Sequence, residues 1–218
     1  MKSRILLLIV ALLMFGITVN SQTSGISFGL RGGFDMQNIN GRDIDDDQLT
    51  MDLVPRFNAG LVVDIPLGTD MFFQPGLFFT TKGAKSDAFF GLGSVEYNLS
   101  YIELPLSLLY KPMLGNGRFF LGFGPYLSYG IMGKTEYTVG NLTTEENIEF
   151  TSERSGLFAW KYFKPFDYGG NLFFGYELAS GILLQLNTQL GMANIYPDPD
   201  SDIVFKNTGF GLSLGYNF

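Results

Sequence analysis

Thr208-Gly209-Phe210-Gly211-Leu212-Ser213-Leu214-Gly215-Tyr216-Asn217-Phe218 alternates strictly between a large apolar residue and a small or polar one. A strand sends successive side chains to opposite faces. Phe210, Leu212, Leu214, Tyr216 and Phe218 therefore share one face, and Gly209, Gly211, Ser213, Gly215 and Asn217 the other. An apolar face backed by a small, uncharged one fits a membrane barrel, whose strands meet lipid on one side and the lumen on the other. The pattern recurs over Ile26–Phe34, Arg56–Ile65, Phe73–Lys82, Leu99–Tyr110, Phe119–Ile131, Phe166–Leu178 and Ile182–Leu190. With the closing segment the count is eight, an even number and the smallest usual for bacterial barrels. The expected fold is an all-β, eight-stranded antiparallel transmembrane β-barrel.

The links alternate in length. Pro66–Asp70, Pro112–Arg118 and Ala179–Gly181 are short, whereas Asp35–Pro55, Gly83–Asn98, Met132–Pro165 and Asn194–Asp202 are longer. Short turns belong to the periplasmic rim and long loops to the outside. One orientation satisfies every link, with both ends of the barrel domain on the periplasmic side. The aromatics form two levels, as membrane interfaces require: Phe28, Phe73, Tyr110, Phe119, Tyr216 and Phe218 below, and Phe34, Phe57, Phe79, Tyr129 and Tyr168 above.

Composition points the same way. Aromatics are 16% of the 218 residues and glycines number 28, while charged residues are only 16%, against about 25% in ordinary soluble domains. Cysteine and histidine are both absent, which excludes disulfides, thiolate nucleophiles, Cys/His zinc sites and any histidine base. Lys2 and Arg4 followed by the apolar Ile5–Thr18 and by Val19-Asn20-Ser21 read as a signal peptide over 1–21, leaving 22–218 as the barrel domain. Removing Lys2 and Arg4 from the 14 basic residues leaves 12 against 21 acidic ones, a net charge of −9 that disfavours nucleic acid. An exported soluble sandwich or lipocalin-like barrel also alternates, but its outer face carries charge. Here the face opposite the apolar one is Gly, Ser, Asn and Gln, which suits a narrow lumen.

Pro75, Pro105 and Pro125 fall inside three successive strands, where a missing donor predicts bulges or bends. The same residues carry a resemblance. Gln74-Pro75-Gly76-Leu77, Tyr101-Ile102-Glu103-Leu104-Pro105-Leu106 and Gly122-Phe123-Gly124-Pro125-Tyr126 resemble strand motifs of the PorT-like outer-membrane β-barrel family of Bacteroidota-type Gram-negative bacteria. Phe28–Phe34 and Leu212–Phe218 fit as well. The resemblance implies a small surface barrel and, through the name-giving member, a link to protein export across the outer membrane. It transfers no catalytic or binding residue.

No enzymatic constellation emerges, and no cofactor is expected. Gly133-Lys134-Thr135 resembles the end of a phosphate loop, but Ser128 occupies the required first glycine and no helix follows. Asn98-Leu99-Ser100 and Asn141-Leu142-Thr143 match the glycosylation triplet, a pattern of low information. Asp43-Ile44-Asp45-Asp46-Asp47, with Asp52, and Asp198-Pro199-Asp200-Ser201-Asp202 read as solvated acidic loops; a hard cation is the lesser alternative. Parity puts Arg31, Lys82 and Glu103 on the lumen face at upper to middle depth, with Asp64 and Glu177 near the periplasmic rim. Buried charge needs a partner, so an Arg31–Glu103 or Lys82–Glu103 contact is expected.

Three function classes follow. In the first, a non-enzymatic barrel with a plugged lumen engages a partner through its surface loops, above all Met132–Pro165 with Trp160, Tyr162 and Phe163. The second is an accessory role in secretion or envelope assembly, resting on the resemblance. The third is a narrow porin-like channel. The expected partners are outer-membrane lipid, an envelope or secretion protein, and the barrel-assembly machinery, which would read Tyr216 and Phe218 as an assembly signal.

Overall fold

The computed structural model describes residues 25–42, 47–49, 51–89, 93–151, 161–198 and 201–218. The alternating segments become eight long strands: β1 (Ser27–Arg42), β2 (Val54–Pro66), β3 (Met71–Phe89), β4 (Gly93–Tyr110), β5 (Gly117–Val139), β6 (Phe166–Leu178), β7 (Ile182–Gly191) and β8 (Val204–Asn217). Each pairs antiparallel with the next, from β1–β2 (Phe34↔Phe57) to β7–β8 (Leu186↔Leu212). β1 pairs with β8, from Gly29↔Asn217 to Arg42↔Val204, and the ring closes without a free edge. Residues 1–21, read from the sequence as a signal peptide, lie outside the described residues.

Side-chain faces follow parity. Leu30, Phe34, Leu61, Leu77, Leu104, Phe123, Leu172, Leu184 and Leu212 are exposed on the outside, and Arg31, Asp64, Gln74, Glu103, Ser128, Asp167 and Ser213 are buried inside. An exterior this apolar has lipid as its solvent.

Two expectations about the strands are corrected. Gly83–Asn98 is not a loop, because β3 and β4 remain paired through Lys82↔Leu99, Ala84↔Tyr97 and Ser86↔Val95. β1 likewise continues to Arg42, and β5 runs to Val139 and turns back through Leu142–Asn147. Polar residues there end the lipid-facing pattern without ending the strands, since backbone pairing needs no apolar face.

Nor do the prolines bulge the sheet. The pairing skips two rows at each, from Val62↔Gly76 to Ile65↔Phe73 beside Pro75, and the register is unchanged across the gap. The same gaps appear beside Pro105 on the β3–β4 seam and beside Pro125 on the β4–β5 seam. A proline removes one donor from one seam, and intact rows above and below hold the register. Register shifts lie elsewhere: Ser100 pairs with Met132 but Tyr101 with Gly130, leaving Ile131 as the extra residue, and the β3–β4 register changes between Ser86↔Val95 and Phe89↔Gly93.

Candidate functional site

The lumen is filled in layers whose order is read along β6, from Asp167 near the outer end through Asn171 and Phe173 to Glu177 near the periplasm. At the lowest level Lys111 Nζ lies 2.7 Å from Glu177 Oε2 and 3.1 Å from Asp64 Oδ2. Gln74 Nε2 donates to Asp64 Oδ1 at 2.6 Å, and the Asn217 amide donates to Glu177. Arg31 faces this level, where Asp64 and Glu177 are the carboxylates acting on it. Beneath it, a bowl of about 660 Å³ opens between the periplasmic turns, with Lys111, Arg118 and Glu177 on its wall.

Above these charges Leu109, Phe120, Phe173 and Leu183 form an apolar layer, with the Phe120 and Phe173 rings 6.4 Å apart. Gly122 makes room for it, since a Cβ there would stand 2.2 Å from the Phe173 ring. Small residues opposite large rings let a narrow barrel fill its own interior.

Next comes a polar chamber of about 80 Å³. Asp35, Gln37, Asn58, Asn171, Asn187 and Glu103 are among its walls, and Arg31 lines it as well. Asn58 Nδ2 donates to Asp35 Oδ2 at 2.6 Å and Asn187 Nδ2 to Asp35 Oδ1 at 2.8 Å.

The chamber is roofed by a second ionic layer. Lys82 Nζ is fully buried, 2.9 Å from Glu103 Oε2 and 3.0 Å from Asp167 Oδ2. Ser128 and Gln189 donate to Glu103, each at 2.8 Å, and Asn207 donates to Asp167 at 3.0 Å. The ammonium also lies 4.2 Å from the Tyr126 ring centroid and 5.4 Å from that of Tyr101, within cation–π range. A buried charge held by two carboxylates, with hydrogen bonds on the remaining lone pairs, meets the conditions under which burying ions is tolerated.

The mouth itself is stoppered by an apolar cap of Ile39, Leu99, Tyr101, Ile148, Phe163 and Ile195. The long connection after β5 supplies two of these through a parallel pair, Tyr162↔Glu149 and Phe163↔Phe150. Lys164 N donates to Ile195 O at 2.9 Å, joining this connection to the segment after β7. Arg56 bonds Glu96 at 2.9 Å and the Tyr97 carbonyl at 3.0 Å.

The five charges expected as one lumen cluster thus occupy two levels. Lys82 and Glu103 are in contact above; Arg31, Asp64 and Glu177 lie below with Lys111. Arg31 does not reach Glu103, because it sits only four residues above the start of β1 and the strands are staggered. Lys111 and Asp167 complete the two ionic layers, and parity alone gave no reason to group them with the rest. Of the loop aromatics expected to face a partner, Phe163 is buried in the cap, Tyr162 is half-buried, and Trp160 lies outside the described residues. Asp43 to Asp46 and Asp200 are also outside them; Asp52 N donates to the Lys85 carbonyl at 2.6 Å. Tyr216 and Phe218 are exposed at the periplasmic end with rings 5.0 Å apart, and Phe218 N donates to Phe28 O at 2.9 Å.

A comparison with curated protein sequences finds no match. Solved structures similar to this chain include neisserial surface protein A, at 10% identity over 89% of this chain and 100% of that one, with a TM-score of 0.47. OprG from Pseudomonas aeruginosa is similar at 14% identity over 88% and 95%, with a TM-score of 0.46. Ail, the attachment invasion locus protein of Yersinia pestis, is similar at 9% identity over 88% and 98%, with a TM-score of 0.41. The model of one family, described as the outer membrane protein beta-barrel domain, matches residues 20–196, most of the length. The chain therefore belongs to the outer membrane protein beta-barrel domain family, and its place is the outer membrane.

Proposed function

We propose that this protein is a non-enzymatic surface barrel that presents an ordered extracellular platform to an envelope or extracellular partner. The observation that carries this reading is the cap. Ile148 and Phe163 from one connection and Ile195 from another are buried together at the mouth, which anchors the outer segments to the rim. Exposed Leu142–Asn147 projects beyond this anchor. The ionic and apolar layers obstruct the lumen and argue against a standing pore. Site-specific photo-crosslinking from Thr144 on intact cells tests the proposal. Adducts formed at Thr144 and not at periplasmic Asn116 support it. An absence of adducts at Thr144, or steady conductance of the purified protein in planar bilayers, overturns it.

The PorT-like motifs favour a second reading, an accessory role in secretion or envelope assembly. The feature that supports it is the bowl open to the periplasm, where Arg118 stands beside the Lys111–Glu177 pair. Adducts confined to Asn116 would favour this reading over the first.

A further inference from the structure

Asp35 is buried at 4% exposure on the lumen face of β1, and among the described residues no Lys or Arg lies within ion-pairing distance of it. The nearby ionic roof does not balance it, since Lys82 is already shared between Glu103 and Asp167. Arg56, the register partner of Asp35 on β2, is paired with Glu96, so three carboxylates share the one remaining ammonium at this level, while Arg31, on the chamber wall, and Lys111 serve Asp64 and Glu177. A buried carboxylate without a countercharge is costly.

The chamber beside Asp35 contains the oxygen chemistry that would compensate it. Each Asp35 oxygen accepts one amide hydrogen bond, from Asn58 or Asn187, which leaves about half of a carboxylate's lone pairs available. Gln37, two residues along the same face, is 97% buried, and its Oε1 has no hydrogen-bond partner. Asn171 Oδ1, on the wall of the same chamber, also has none. Buried acceptors of this kind are normally satisfied, so two orphaned carbonyl oxygens beside an unpaired carboxylate need an account.

We propose that the chamber is an internal binding site for a monovalent alkali cation, held by Asp35 with the amide oxygens of Gln37 and Asn171 and with water. Hard cations take oxygen ligands of this kind. Asp35 among neutral amides, with the Arg31 guanidinium on the same wall and Glu103 already held by Lys82, calls for a single positive charge; a dication would leave an excess charge in a low-dielectric interior. A space of about 80 Å³ accommodates an ion with several waters. The apolar cap lies above this chamber and the Phe120–Phe173 layer below it.

The test uses the full barrel refolded in detergent. Urea midpoints are compared in sodium, potassium and choline chloride at equal ionic strength, and sodium-23 NMR line width is followed with and without protein. The expected result is a higher midpoint in sodium or potassium than in choline, together with a broadened sodium signal. Asp35→Asn should lower the apparent cation affinity at least tenfold and remove the salt-identity effect, while Gln37→Leu lowers it several-fold. Identical midpoints in all three salts overturn the proposal, as does an unchanged cation effect in folded Asp35→Asn. If Asp35→Asn does not fold, the wild-type salt comparison still decides.

Discussion

Lys82 Nζ and Asp167 Oδ2 lie 3.0 Å apart across the lumen, joining β3 to β6, strands that share no backbone pairing. Because Lys82 also contacts Glu103, the three side chains tie three strands together at one level. Lys82→Met leaves two buried carboxylates without a cation and should cost about 3–5 kcal/mol. Glu103→Ala leaves Lys82 its Asp167 partner and should cost less. Urea midpoints in detergent check the order; an equal or larger loss for Glu103→Ala would place the main contact elsewhere. Lys134 and Glu145, paired at 2.6 Å but both more than half exposed, provide the contrast, and Lys134→Ala should leave the midpoint unchanged.

Gly122 tests how the lumen is filled. Gly122→Val places methyl groups where the Phe173 ring lies and should destabilise the barrel by about 1–3 kcal/mol. Gly122→Val combined with Phe173→Leu should recover part of that loss. Gly170, where an added Cβ meets nothing within 4 Å, should tolerate Ala far better. Equal effects at Gly122 and Gly170 would mean that the ring is not confined.

Much of the architecture is legible in alternation. Leu104, Leu106 and Leu108 face outward and Glu103 and Ser107 inward, as parity requires. What alternation omits is stagger, the axial offset between neighbouring strands. Parity puts Arg31 and Glu103 on the same face, and only the offset shows that they lie at different heights. Asp35 is hard to place for another reason. It follows Phe34 at the end of the lipid-facing pattern, so it reads as the first residue of a loop, although β1 continues for seven residues beyond it. Lys111 falls between the Leu99–Tyr110 segment and the Pro112–Arg118 link, so alternation assigns it no face. Phe163 shows the limit of composition, because an aromatic suited to a partner is equally suited to a stopper.

Tyr176 predicts a smaller effect at the periplasmic rim. Its hydroxyl donates to the Leu114 carbonyl at 2.7 Å and fastens the β4–β5 turn to β6. Tyr176→Phe keeps the ring and should cost about 0.5–1.5 kcal/mol. Amide exchange across residues 113–118 should quicken in the same variant; unchanged exchange would show that the turn stands without the latch.

Topology gives a direct prediction. A cysteine replacing Thr144 should react with a membrane-impermeant maleimide on intact cells, and one replacing Asn116 should react only after the outer membrane is permeabilised. Both positions are exposed, so a difference in labelling reports the side of the membrane. Reversed labelling would invert the barrel.

The cap also divides the outer segments into two kinds of sequence. Ile148, Phe163 and Ile195 are spoken for by the stopper, whereas the Val139↔Leu142 hairpin closes through Gly140, at a φ of 60° with nothing within 4 Å of an added Cβ. Foreign peptide spliced at Gly140–Asn141 would extend a hairpin already clear of the mouth, but the same peptide at Phe163 would uncork it. For antigen display, the Gly140 hairpin is a permissive splice point, and the buried stopper positions are not.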